Sequence, residues 1–109
     1  MLHFDTIWKL LSNHGSSDRR RAEASDLWKG YTPEQQQQIF DAIRHKLSQG
    51  KFVNYDPVRA LIENVPKQQL QQMSYEEYYA IYHTTEPKDG WSMVKPQQGA
   101  VYYVRPQSV

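Results

Sequence analysis

The sequence of 109 residues contains no cysteine, which excludes disulfide bonds and thiolate zinc sites. It also lacks an apolar run long enough to cross a bilayer, and its first residues show no basic stretch followed by an apolar one. We therefore expect neither membrane insertion nor secretion. The absence of cysteine is typical of a reducing compartment, so the predicted location is the cytoplasm.

The chain also has very little net charge. Thirteen Lys and Arg residues are balanced by twelve Asp and Glu residues, which gives a formal net charge of +1. The two signs are mixed along the whole sequence, so no segment resembles a tail that binds polyanions. Overall charge therefore gives no support to nucleic acid binding.

Sequence motifs for catalysis or cofactor binding are absent. The five glycines do not have the spacing of a phosphate-binding loop, a dinucleotide fingerprint or a nucleophile elbow. The four histidines are scattered, without the spacing of metal ligands: His3, His14, His45 and His83. Glu76 and Glu77 are adjacent and would point about 100° apart on a helix, so they cannot form an acid/base dyad. We predict a protein that is not an enzyme and has no catalytic residues, cofactor or metal.

Large aromatic residues are abundant. The chain has eight Tyr, three Trp and three Phe, and 39% of its residues are hydrophobic. The low mean hydropathy of −0.84 reflects its many Gln and Tyr residues, which count as polar. This composition is sufficient for one modest core, so residues 1–109 are predicted to form a single globular domain.

Helical spacing and capping motifs predict five helices, over residues 4–13, 18–29, 33–49, 57–64 and 75–83. Two capping boxes mark helix starts, at Thr32 with Gln35 and at Ser74 with Glu77. In the third helix the inward residues would be Ile39, Phe40, Ile43 and Leu47. Residues 67–72 are expected to be a polar connection. Two β-prone runs, 91–94 and 100–104, flank a short loop and predict a C-terminal β-hairpin. The predicted class is α+β and mainly α.

The last predicted helix carries four tyrosines. At 100° per residue, the positions from Ile81 through Tyr78, Tyr82 and Tyr75 to Tyr79 span an arc of about 160°. Such an arc is wider than one core contact, so the better core candidates are Ile81, Tyr78 and Tyr82. Tyr75 and Tyr79 lie at the edge of the arc. If the hairpin covers them, they belong to the core; otherwise they form an exposed aromatic strip, typical of protein contact surfaces.

The predicted hairpin has apolar or aromatic side chains on both faces of its second strand. One face must meet the helices, and we expect the other to meet a second chain or another covering segment. This predicts a non-enzymatic protein-interaction module that associates with another protein chain, including a second copy of itself as a homodimer. The predicted interface residues are Tyr75, Tyr79, Trp91, Tyr102 and Tyr103.

Basic clusters on two successive helices support an alternative hypothesis. The clusters are Arg19, Arg20 and Arg21 on the second helix, with Arg44 and Lys46 on the third. In a helix-turn-helix arrangement they could grip phosphates, while residues 35–38, all Gln, could reach base edges. The alternative function is therefore a nucleic-acid-binding accessory protein.

Three segments carry a resemblance to known proteins: Ala24–Trp28, Thr32–Gln36 and Asn54–Asn64. Their pattern of tryptophan, proline and helix-cap positions resembles a short helical module of phage and plasmid replication-helper proteins. The chain also resembles small uncharacterised proteins of Bacteroidetes genomes and their mobile elements. The first resemblance implies a role beside DNA, and neither resemblance assigns a functional residue.

Overall fold

The computed structural model describes residues 2–11 and 17–107. The helices and strands are, in chain order, α1 (Phe4–Leu11), α2 (Asp18–Gly30), α3 (Pro33–Ser48), α4 (Pro57–Glu63), β1 (Leu70–Ser74), α5 (Tyr75–Tyr82), β2 (Ser92–Val94) and β3 (Tyr102–Pro106). A 3₁₀ turn over Lys67–Gln69 leads into β1. The predicted class, α+β and mainly α, is confirmed. None of the described helices is long and apolar enough to span a bilayer.

Local capping explains why α3 and α5 begin where predicted. The Thr32 hydroxyl accepts from the Gln35 amide at 3.1 Å, and the Gln35 side chain accepts from the Thr32 amide at 2.9 Å. Ser74 and Glu77 form the same reciprocal pair at 3.1 and 3.2 Å. Each box satisfies two amides that a helix start leaves without a partner.

The ends of the other predicted helices agree within one or two residues where they are described. α2 begins after Ser17, whose hydroxyl accepts from the Arg20 amide. α4 begins after Asp56, whose carboxylate accepts from the amides of Val58 and Arg59. The predicted end of the first helix, at residues 12 and 13, and the predicted stop and cap at residues 13–16 lie outside the described residues.

The described strands form one antiparallel sheet in the order β1-β3-β2. The predicted hairpin is confirmed, because Ser92 lies opposite Val104 and Val94 opposite Tyr102. Its second strand begins two residues later than predicted, at Tyr102, so the connection covers residues 95–101.

The prediction of a polar connection over residues 67–72 was wrong, because it contains most of β1. This strand pairs with β3 over five positions, from Leu70 opposite Pro106 to Ser74 opposite Tyr102. Its Gln-rich sequence has no strand signal of its own, so backbone pairing with the central strand determines its conformation. The sheet thereby gains a third strand.

The sheet separates two clusters of buried side chains. The larger cluster joins α1 to α4 and includes Ile7, Leu27, Trp28, Ile39 and Leu61. The smaller cluster consists of Tyr78, Trp91, Met93 and Tyr103. Because Met93 and Tyr103 are cross-strand partners, they share one sheet face, and α5 covers that face through Tyr78. The layers are therefore α1–α4, the sheet, and α5.

The core-facing side of α3 differs from the prediction at both ends of the helix. Ile39 and Ile43 are fully buried as expected, whereas Leu47 is 40% exposed. Instead, Gln35 and Gln36 are buried in the first turn, where the side-chain amide of Gln36 donates to the backbone carbonyl of Trp28 at 3.0 Å. α3 therefore meets the core through its first three turns, and its last turn lies outside the core.

Candidate protein-interaction surface

The inward side of α5 is fixed by one aromatic stack. The rings of Tyr78 and Tyr103 lie 3.7 Å apart at an interplanar angle of 8°, and both residues are fully buried. The Tyr78 hydroxyl donates to the Glu86 carbonyl at 2.5 Å, and the Tyr103 hydroxyl donates to the Thr85 carbonyl at 2.6 Å. Burial raises the pKa of both phenols, so both remain neutral donors at physiological pH. The stack holds α5 and the segment after it on the sheet.

A second aromatic stack lies on the outside of the same helix. Tyr75 and Tyr79 are 36% and 47% exposed, and their rings stack with centroids 6.1 Å apart at 15°. The ring of Tyr79 also meets His83 edge to face at 6.3 Å. These three residues are spaced four apart and lie one above the other on the helix. We call Tyr75, Tyr79 and His83 the tyrosine ladder.

Ile81 does not join the core, contrary to the prediction. It is 59% exposed and lies about 160° around the helix from Tyr79, on the opposite flank of α5. α5 packs on one sheet face, so only the line through Tyr78 and the half-buried Tyr82 is covered. The exposed aromatic strip is therefore narrower than the predicted arc and consists of the tyrosine ladder.

The hairpin residues that were predicted at the interface are divided between the two sides of the sheet. Trp91 is 6% exposed and Tyr103 is fully buried, and both belong to the small core under α5. Tyr102 points to the other face, where it is half-buried and lines a cavity of about 390 Å³ with Ile62 and Val65. Of the five predicted interface residues, Tyr75 and Tyr79 thus present their rings most fully to solvent.

The hairpin does not cover the ladder because its aromatic residues are used elsewhere. The guanidinium of Arg105 lies 4.5 Å from the centre of the Trp91 ring and also donates to the Gln71 side chain at 2.8 and 3.0 Å. A third bond runs from Arg105 to the Asp89 carbonyl at 3.2 Å. Trp91 is therefore held against β3, away from the outer side of α5.

Two further aromatic side chains are exposed in the connection between α3 and α4. Phe52 is 72% exposed and Tyr55 is 52% exposed, and the Tyr55 hydroxyl accepts from the Gln97 amide at 2.9 Å. They were not predicted as surface residues, because the segment between Gly50 and Pro57 has neither helical nor strand spacing. No pattern in this segment indicates which side chains are buried.

The three arginines of α2 are paired with acidic residues. Arg20 is the most buried of them and contacts both carboxylate oxygens of Asp56 at 2.6 Å, as well as Glu23. Arg19 pairs with Glu23 at 3.3 Å, and Arg21 pairs with Asp5 at 3.3 Å. Arg20 therefore joins α2 to the start of α4, and its guanidinium is not free for a phosphate.

The α3 residues of the nucleic-acid hypothesis are placed less favourably than predicted. Arg44 is exposed, with its guanidinium 5.4 Å from the centre of the Phe40 ring, and Lys46 is half-buried. Of the four Gln residues that could reach base edges, Gln35 and Gln36 are buried. Gln37 donates to Asp41 at 2.9 Å. The structure thus provides fewer free polar groups at the start of α3 than the sequence implied.

Within residues 2–11 and 17–107, no three His, Asp or Glu side chains come close enough together to hold a metal ion. No protein-family model, curated protein or solved structure matches the chain. The resemblances to replication-helper and mobile-element proteins stay predictions.

Proposed function

We propose that this chain is a non-enzymatic protein-interaction module that self-associates, with the tyrosine ladder as part of its contact surface. The observation that carries the proposal is the exposed stack of Tyr75 on Tyr79, on a helix whose other aromatic residues pack inward. Tyrosine combines a large apolar ring with a hydroxyl, and it is enriched where proteins meet. The cytoplasm remains the proposed location.

The ladder stands on a helix that is held at both ends and on its inner side, which favours binding. The capping box at Ser74 and Glu77 fixes the start of α5, and His83 ends the helix with a left-handed φ of +56°. The stack of Tyr78 on Tyr103 fixes its inner side. Because these contacts already order the helix, a partner would lose less conformational entropy on binding than it would with a flexible segment.

Charge beside the ladder favours a protein partner over a nucleic acid. Glu76 is exposed in the first turn of α5, about 80° around the helix from the line that joins Tyr75 to Tyr79. Aromatic side chains that stack on bases usually lie in a positively charged groove. An acidic residue at this position would repel phosphates, so the nucleic-acid hypothesis draws no support from the ladder.

The test is the oligomeric state in solution at micromolar concentrations, measured by sedimentation equilibrium. We expect the wild type to self-associate. The variants Tyr75→Ser and Tyr79→Ser should each weaken this self-association. A well-packed interface tyrosine contributes about 2 kcal/mol, and a homodimer loses it from both copies, so each variant should raise Kd roughly 900-fold. Ile81→Ser is the matched control, because Ile81 is exposed on the opposite flank of the same helix and should leave Kd unchanged. A wild type that stays monomeric throughout would refute the proposal.

A further inference from the structure

β1 is an edge strand whose own sequence carries no charge or proline to discourage further pairing. In the sheet order β1-β3-β2, one edge of β1 pairs with β3, and no strand of the described chain lies along the other. Natural edge strands often carry a charge, a proline or a bulge that discourages pairing. Leu70–Ser74, with the sequence LQQMS, contains neither a charged residue nor a proline. Its central residue, Gln72, is exposed.

The register shows which backbone groups point outward from β1. The backbone amide of Gln107 donates to the backbone carbonyl of Gln69 at 2.8 Å, so this pair extends the hydrogen bonding between β1 and β3 by one position. Antiparallel pairs alternate, so positions 71 and 73 also bond to β3, whereas positions 70, 72 and 74 direct their N–H and C=O groups away. Pro106 agrees with this pattern, because it has no N–H to donate and lies opposite Leu70.

Two of the outward N–H groups already have partners inside the chain. The Leu70 amide donates to the Lys67 carbonyl, and the Ser74 amide donates to the Glu77 carboxylate at 3.2 Å. Gln72, at the centre of the strand, is left with both its outward N–H and its outward C=O available. A single residue with both groups available has the pattern that a twofold-symmetric contact requires.

We infer that a second copy of this chain adds to the edge of β1, with the two β1 strands antiparallel and each Gln72 opposite the other on the twofold axis. Each Gln72 N–H then donates to the other Gln72 C=O, and the two sheets become one sheet of six strands. This inference rests on the proposed function, since it names the element through which self-association occurs.

The charges at the two ends of β1 are complementary in this arrangement. Lys67 precedes β1 and Glu76 and Glu77 follow it, and all three side chains are exposed. Antiparallel pairing centred on Gln72 brings the Lys67 end of one copy beside the acidic end of the other, at both ends of the joined strands. Parallel pairing would instead bring like charges together, which is destabilising. The charges therefore favour the antiparallel register.

The same arrangement places the two α5 helices on one face of the joined sheet. Tyr78 of α5 stacks on Tyr103 of β3, the strand that pairs with β1. The twofold axis of an antiparallel strand pair is perpendicular to the sheet, so the α5 helices of the two copies lie on the same face. Tyr75 directly follows β1, so the tyrosine ladder begins at the paired edge.

The test uses the fact that position 72 faces itself across the axis. Gln72→Lys and Gln72→Glu each place two like charges directly opposite one another, and each should weaken self-association roughly fivefold. An equimolar mixture of the two variants should form heterodimers, with association at least equal to that of the wild type. Native mass spectrometry distinguishes heterodimers from homodimers, and sedimentation equilibrium gives Kd. Gln98→Lys and Gln98→Glu are the controls, since they make the same changes at an exposed loop residue.

Circular dichroism checks that each variant is folded, and Lys67→Glu supplies a second test that leaves the strand itself unchanged. That variant should also weaken association, because it brings like charges together at both ends. If the ladder variants dissociate the dimer while the Gln72 variants and their mixture behave like the wild type, pairing through β1 is refuted and the proposed function stands. A monomeric wild type refutes both.

Discussion

Arg20 is expected to be a structural residue and not a phosphate contact, and its replacement by alanine tests this directly. Its guanidinium reaches both oxygens of Asp56 at 2.6 Å, and the two side chains are 18% and 21% exposed. Asp56 at the same time accepts from the amides of Val58 and Arg59 at the start of α4. One carboxylate thus connects α2 to α4 and caps α4.

The magnitude follows from this partial burial. Removing one partner of a fully buried pair costs about 3–5 kcal/mol, and an exposed pair contributes about 1 kcal/mol or less. For side chains about four-fifths buried we expect Arg20→Ala to lower the free energy of unfolding by about 2 kcal/mol. Asp56→Ala should cost about 1 kcal/mol more, because the helix cap is lost as well.

Urea denaturation followed by circular dichroism measures these differences. Arg19→Ala is the matched control, because Arg19 is its neighbour on α2, is 71% exposed and has one carboxylate contact at 3.3 Å. We expect Arg19→Ala to change the free energy of unfolding by less than about 0.5 kcal/mol. If Arg20→Ala and Arg19→Ala have the same free energy of unfolding, then the ion pair between Arg20 and Asp56 does not stabilise the packing of α2 on α4.

Two further predictions concern the small core and the basic clusters. Burial raises the pKa of Tyr78 and Tyr103 above 10.0 in the folded protein, so the unfolded chain loses these protons first as pH rises. The free energy of unfolding should therefore keep its full value below about pH 10 and fall as pH rises further. Tyr78→Phe and Tyr103→Phe should each lower the free energy of unfolding by about 1 kcal/mol at neutral pH. The double variant should lose less of its free energy of unfolding between pH 7 and pH 11 than the wild type, as measured by urea denaturation at each pH. If the loss is the same in both proteins, the two tyrosines do not cause it. Because the arginines of α2 are paired with acidic side chains, random duplex DNA should not bind measurably at about 50 mM salt in fluorescence anisotropy, where phosphate contacts are strong. Binding that weakens in Arg19→Gln and Arg21→Gln would favour the nucleic-acid hypothesis instead.

Helix starts could be predicted from the sequence because their causes are local. Thr32 with Gln35 and Ser74 with Glu77 satisfy each other within three residues, so the residues that stabilise the start are also the signal for it. The mainly α class followed from these starts together with the spacing of apolar residues.

β1 and the burial of individual aromatic residues could not be predicted in the same way. Leu70–Ser74 becomes a strand because β3, about thirty positions later, pairs with it, and its own side chains have low strand propensity. Similarly, Tyr78 and Tyr79 have identical side chains one position apart, and only the position of Tyr103 decides which of them is buried. These outcomes depend on contacts between distant parts of the chain.

The candidate surface shows the same division between local and distant causes. The tyrosine spacing on α5 predicted that Tyr75 and Tyr79 share a face, but the hairpin could have covered them. They stay exposed because Arg105 and β3 hold Trp91 in the small core. The sequence gives no sign that Arg20 is paired, because its partner Asp56 lies 36 positions away, beyond the range of any helical pattern. Arg20 was therefore predicted to belong to the basic cluster.

Neither the tyrosine ladder nor the β1 edge would carry a functional argument alone. Exposed tyrosines are common on protein surfaces, and every open sheet has two edges. Here α5 follows β1 without an intervening residue, so Tyr75 is three positions beyond Gln72 and the ladder begins where the β1 edge ends. A partner that pairs with Gln72 is thereby placed next to Tyr75, and a partner that packs on the ladder is placed next to an available N–H and C=O. A second copy of the chain carries both features in the arrangement that antiparallel pairing requires, which is why we favour self-association over an unrelated partner.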